Sequence, residues 1–169
     1  MKFLATVATL AGILTLTVAA QVHAQEACHA FDTLIGQWEW HQVPESDTGS
    51  HGTFSFQREL NGKATLLRLE WTPDKSKPPR RQLIVIYENG QRKEKSATYF
   101  DEYGTASSCS VENTKPLCGL TINCDSVLPP QYSFTIEAGD KLSLAVNGRL
   151  ASWFRARASR VAPNGPLKP

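Results

Sequence analysis

From residue 37 onward, apolar and polar residues alternate along this chain with a period of two. Trp38 and Trp40 fall on one face of a predicted strand, and Gln37, Glu39 and His41 on the other, because successive strand side chains point to opposite sides. Phe54 and Phe56 alternate with Thr53, Ser55 and Gln57, and Leu67, Leu69 and Trp71 line the returning segment. Asn61-Gly62 lies between them, the residue pair best suited to the positive φ angles of a two-residue hairpin turn. Leu83 to Tyr87 is apolar on both faces and predicts a strand that touches the interior and an outside element. Ala97, Tyr99 and Asp101 form the next inward set, followed by Leu120, Ile122 and Cys124, then Tyr132, Phe134 and Ile136, then Leu142, Leu144 and Val146. A last strand runs from Leu150 to about Arg160. Before Gly36 the period is helical. Residues 26–35 predict one short helical turn, with Asp32 as its cap and Ala27, Phe31, Leu34 and Ile35 on its apolar side.

Turn residues punctuate the strands at Glu88-Asn89-Gly90, Gly104, Pro129-Pro130, Ala138-Gly139-Asp140 and Asn147-Gly148. Such short connections favour an up-and-down meander over a Greek-key sandwich. A meander this long leaves two unpaired edges unless it closes, and closure removes them. The expected fold is therefore all-β: a single up-and-down antiparallel barrel of about eight to ten strands behind a short helical turn, wide enough for side chains or one small ligand.

The first residues carry a different signal. Lys2 precedes an uncharged, mostly apolar stretch from Phe3 to Ala20, and Val22-His23-Ala24 fits a signal-peptidase site. The domain plan is a signal peptide over 1–24, a barrel domain over 25–162 and a flexible, proline-rich tail over 163–169. An uncleaved anchor is set against this by the threonines in the apolar stretch and by the cleavage site that follows it. A lipoprotein reading fails because Glu26 lies two positions before Cys28. Export to an oxidising compartment is the expectation, with no stable membrane insertion after cleavage.

Charge excludes one class of partner. The formal net charge is only +2 and Lys2 belongs to the leader, so the domain lacks the basic face that nucleic acid requires. The densest basic stretch is Lys75, Lys77, Arg80 and Arg81 around Pro78-Pro79, which reads as a solvated loop. The four cysteines, Cys28, Cys109, Cys118 and Cys124, imply two disulfides in an exported chain. Three pairings exist. Cys109 and Cys124 fall opposite each other on a predicted hairpin around Asn113 to Pro116, which favours Cys109–Cys124 and leaves Cys28–Cys118. No Cys-x-x-Cys is present, so no metal centre is expected at the cysteines.

Phe31-Asp-Thr-Leu-Ile-Gly36-Gln-Trp38 resembles the entry to the lipocalin-like barrels of the calycin superfamily, and more closely a group of bacterial lipocalin-like proteins of similar length. Tyr99-Phe100-Asp101-x-x-Gly104 is similar to a mid-chain segment of the same group. The resemblance implies a periplasmic or secreted bacterial protein. It also implies that Gly36 and Trp38 form a barrel plug, with the tryptophan packed across the closed end beneath an arginine from near the last strand, Arg157 or Arg155. A guanidinium stacked on an indole gives that pair a physical basis. The Thr-Asp-Tyr segment of classical lipocalins is absent, and no histidine follows His51 to hold haem as in nitrobindin-type relatives.

Catalytic and metal signals are sparse. His41 and His51 flank a loop with Glu45 and Asp47, which reads as solvated before it reads as a metal site. Asp101 and Glu102 point to opposite faces of a strand and sit in a natural turn, not in an acid–base pair. Ser107 and Ser108 lack a nucleophile-elbow setting, and no glycine-rich phosphate loop occurs. The expectation is a monomeric, non-catalytic barrel without cofactor or metal, holding a small apolar or amphiphilic ligand. Its wall would comprise Trp40, Phe54, Phe56, Leu67, Leu69, Trp71, Tyr99, Tyr132 and Phe134. Arg155 shares a strand face with Trp153 and Arg157. If that face points inward it offers a carboxylate partner, and if outward a soluble stripe. The alternative is a ligand-free barrel acting as an interaction or inhibitor module through loops 43–52 and 72–81.

Overall fold

The computed structural model describes residues 30–43, 50–72, 77–89, 94–114, 118–125, 130–138, 140–148 and 152–162. Residues 1–29, with the expected signal segment and Cys28, lie outside them, as do Glu45, Asp47, Lys75 and residues 163–169. The described chain begins with helix α1 (Ala30–Leu34) and continues through ten strands. These are β1 (Gly36–Gln42), β2 (His51–Glu59), β3 (Ala64–Thr72), β4 (Arg80–Asn89) and β5 (Glu94–Asp101). They continue as β6 (Ala106–Thr114), β7 (Gly119–Cys124), β8 (Gln131–Ala138), β9 (Lys141–Asn147) and β10 (Ser152–Arg160). Each strand pairs with the next, and β1 pairs with β10 to close the barrel. Every pairing is antiparallel. The up-and-down barrel read from the alternation is thus the observed fold, at ten strands.

Local chemistry differs from the pattern-based reading at two points. The turn between β2 and β3 spans four residues instead of two, because Glu59 pairs with Ala64. Leu60 and Asn61 both take positive φ there, and so does Gly62. Asp32 sits inside α1 instead of capping it, and its carboxylate pairs with Arg58 from β2.

The inward set is nearly complete as patterned. Trp38, Trp40, Phe54, Phe56, Leu67, Ile84, Ile86, Leu120, Ile122, Tyr132, Phe134, Leu142, Leu144, Ala156 and Ala158 are all buried. Leu83 faces outward and is only half-buried. A ten-strand barrel is wider than the roughly eight strands whose side chains just fill the interior. Here aromatic rings span that width. Phe134 on β8 meets Phe54 and Phe56 on β2 at centroid distances of 5.3 and 5.2 Å, edge to face. Phe54 also stacks on Trp38 at 5.9 Å. The contacts join opposite walls, so the middle of the lumen is a packed core.

Cys109 and Cys124 are register partners on β6 and β7 and form a disulfide. Cys118 is also disulfide-bonded; the expected Cys28 partnership lies outside the described residues. Among the described residues no helix is long and apolar enough to cross a membrane.

Candidate functional site

The two ends of the barrel are built differently. The lower end carries α1 and receives the end of β10; the upper end carries the β5–β6 turn and the start of β8.

At the lower end the Gly-x-Trp motif forms a plug. Trp38 and Arg160 are register partners. The backbone bonds Val43 N to Arg155 O and Val161 N to Gln37 O place them at a non-hydrogen-bonded position, where facing side chains come closest. The Arg160 guanidinium carbon lies 4.4 Å from the Trp38 ring centroid, a cation–π stack. The same guanidinium donates to the carbonyls of Ile35 and Thr33, each at 2.5 Å, and to Asp140 Oδ1 at 3.0 Å. Trp38 Nε1 donates to Leu34 O at 2.9 Å. Gly36 has φ +129°, and a Cβ there would lie 2.7 Å from Arg160 Nη1. Glycine is therefore required twice, for its dihedral and for the passage of the guanidinium. Arg58 on Asp32 and Lys95 over the Phe31 ring, at 4.6 Å, pin α1 across the same end.

The plug arginine is Arg160, which corrects the expected Arg157 and Arg155. Both of those are exposed and lie in the outward phase of β10, while Ala156 and Ala158 face inward. Arg155 therefore lines no lumen and cannot meet a carboxylate there. The small residues at 156 and 158 were the available signal: they mark the inward phase, and Arg160 continues it.

Near the upper end the lumen contains a polar chain. Tyr132 donates from its hydroxyl to Gln82 Oε1 at 2.5 Å, and Gln82 donates from Nε2 to the Tyr99 hydroxyl at 2.7 Å. The chain links β8, β4 and β5 across the barrel. The two phenol rings lie roughly parallel with centroids 6.5 Å apart. Burial pushes the Tyr99 phenol up to about 12, with the Asp101 carboxylate adding to the rise. Burial likewise pushes Tyr132 well above the ordinary phenol range, reinforced by its neighbour Tyr99. Both hydroxyls thus stay protonated and act as hydrogen-bonding groups, not as bases.

Around this chain stand Leu69, the register partner of Gln82, and Ser107, the register partner of Tyr99. Leu69, Tyr99, Cys109 and Ser107 retain 5–8 % exposure, whereas Phe134, Leu120 and Ile122 retain none. All four are buried and lie toward the upper rim, between β3 and β6. Arg80 and Asp101 stand in the inward phase at this rim with opposite charges. Asp101 also builds the adjoining turn, its Oδ1 accepting from the backbone N–H groups of Tyr103 and Thr105.

The structure thus gathers Trp40, Phe54, Phe56, Leu67, Leu69, Tyr99, Tyr132 and Phe134 on the inner wall, with Trp71 half-buried beside them. Gln82 is the residue that the sequence reading passed over, and Ser107 was weighed there only as a nucleophile. Each is a polar residue in the inward phase of an alternating strand, which is the signal that would have found them.

Outside the barrel, a concavity of about 1100 Å³ spreads over β1–β5. It follows two cross-strand rows of outward residues: Gln37, Ser55, Arg68, Leu83 and Phe100, then Glu39, Thr53, Glu70 and Arg81. Arg81 is held by Glu70 at 3.0 Å, and its backbone N–H donates to Glu102.

No family model matches the chain, and no curated protein matches it. Among solved structures the chain is similar to a de novo designed fluorescence-activating β-barrel. The two are 11 % identical, with a TM-score of 0.45, over 78 % of this chain and 97 % of the design.

Proposed function

We propose that this protein is an exported, non-catalytic binding barrel of the lipocalin-like type. It holds a small, neutral, largely apolar molecule bearing one or two hydrogen-bonding groups. The observation that supports this reading is the Tyr99–Gln82–Tyr132 chain, in which two buried phenols meet a half-buried amide. Polar groups in an apolar interior cost stability unless their bonding capacity is used. The chain leaves one Gln82 amide N–H and several phenol lone pairs for an incoming group. Among the described residues the wall below the rim offers no cation except Arg160, which is engaged in the plug, and the rim residues Arg80 and Asp101 carry opposite charges. That setting suits a hydroxyl or carbonyl better than a carboxylate. The Cys109–Cys124 disulfide suits an oxidising compartment.

Native mass spectrometry of protein recovered from the export compartment tests the reading. A bound small-molecule mass that disappears in Gln82→Leu supports it. A ligand-free mass, together with no saturable binding of neutral hydroxy or carbonyl compounds, would overturn it.

The Phe54–Phe134–Phe56 contacts across the lumen favour a second reading. A barrel filled by its own rings would act as an interaction module through its outer surface. Ligand-free protein that captures an exported protein, and loses it when Phe100 and Leu83 are both changed to serine, would support this alternative.

A further inference from the structure

We propose that His41 and His51 form a two-histidine site for a divalent transition cation of borderline softness, such as Zn²⁺ or Cu²⁺, on the outer face of the barrel. The two residues are directly opposed in register on β1 and β2. Gln42 N donates to Ser50 O at 3.0 Å just beyond them. That bond makes Gln42 and Ser50 the hydrogen-bonded pair, and the alternation of an antiparallel ladder then makes His41 and His51 a non-hydrogen-bonded pair. At such a position the Cα atoms lie about 4.5 Å apart and the side chains leave the sheet side by side.

Both imidazoles are exposed and share the outward phase of Glu39 and Thr53. Two ring nitrogens bound to one tetrahedral metal at about 2.0–2.1 Å stand a little over 3 Å apart, and side chains that leave a sheet from a non-hydrogen-bonded pair, with Cβ atoms about 5 Å apart, can converge on such a separation. Imidazole nitrogen selects Zn²⁺, Cu²⁺ and Ni²⁺ over the hard cations that prefer oxygen.

The surroundings set the charge balance. Arg157 is the register partner of His41 on the other side. It occupies a hydrogen-bonded position, inferred from the Val43–Arg155 bond, where facing side chains stand farther apart. Glu39, one step down β1 on the same face, offers a carboxylate and offsets that cation. Thr72 faces His51 across β2–β3, and Glu70 beside it is held by Arg81. Two protein ligands leave the remaining coordination positions to water or to a donor from another molecule. The site stands apart from the lumen and does not depend on what the lumen holds.

The experiment is a titration of the full chain with Zn²⁺ alone by calorimetry, with parallel Cu²⁺ electron paramagnetic resonance. One ion per chain is expected, with two equatorial imidazole nitrogens in the Cu²⁺ spectrum. His41→Ala and His51→Ala should each weaken binding about a hundredfold, because the second imidazole binds in an intramolecular step, and each should leave a single nitrogen. His29→Ala should change neither affinity nor spectrum. Absence of stoichiometric binding would overturn the proposal. So would binding that survives the double His41→Ala/His51→Ala variant, or binding lost on His29→Ala. His41 and His51 are exposed, and circular dichroism of each variant confirms that loss of binding is not loss of fold.

Discussion

The lower and upper ends of the barrel use polar groups in opposite ways. Below, Arg160 spends its guanidinium on two backbone carbonyls, one carboxylate and the Trp38 ring. Above, Gln82 and two tyrosines form a chain in the lumen whose bonding capacity is not all used within the chain. The lesson is that a polar residue in a core is informative by its balance. Fully matched polar groups lock a structure, while partly matched ones leave something for a partner to complete.

The most severe test strikes the locked end. Trp38→Ala removes the floor of the barrel, its stack with Phe54 and its bond to Leu34. It should cost about 3–5 kcal/mol of unfolding free energy in urea titration. A loss below about 1 kcal/mol would place the stabilising core elsewhere. Disulfide removal tests the other end: Cys109→Ser with Cys124→Ser opens a bridge of sequence separation 15. It should cost about 3 kcal/mol, read by the same titration.

The next substitution separates the plug arginines. Arg160→Ala should cost about 2 kcal/mol, combining the lost cation–π stack with abandoned carbonyls. Arg157→Ala should stay within about 0.5 kcal/mol, as expected of an exposed residue. Equal effects would contradict the assignment of Arg160.

The smallest expected effects lie in the polar chain. Tyr99→Phe removes the acceptor of Gln82 and should cost about 1 kcal/mol. Its sharper signature is alkaline. Folding raises the phenol pKa of Tyr99 to about 12 from 10.0 and that of Tyr132 upward as well. Between those values the unfolded chain releases protons that the folded chain keeps, so stability is complete below pH 10 and falls as pH rises above it. Tyr99→Phe should flatten that decline in pH-resolved denaturation. An unchanged slope would mean that Tyr99 is not shielded from solvent.

Much of this architecture was legible in the chain. The alternation around Trp38, Phe54, Leu67, Ile122 and Phe134 placed the inner wall, because a period of two leaves an apolar set only one face to bury. Cys109 and Cys124 were legible for the same reason, since hairpin register follows from strand and turn lengths. The β10 assignment was not. Arg155, Arg157 and Arg160 are chemically alike, and only their phase relative to Ala156 and Ala158 distinguishes the outward stripe from the plug. Gln82 was hidden because its partners, Tyr99 and Tyr132, lie 17 and 50 residues away.

By itself, then, the order of residues determined the strand set, the closed meander and one disulfide. Each follows from local geometry: side-chain alternation, turn dihedrals and the cost of an open edge. Only the closed structure decided which arginine stacks on Trp38 and that Phe134 crosses to Phe54 and Phe56. Those outcomes depend on the stagger between strands distant in the chain and on the residual width of the lumen. Barrel closure sets both, and no stretch of sequence expresses either one alone.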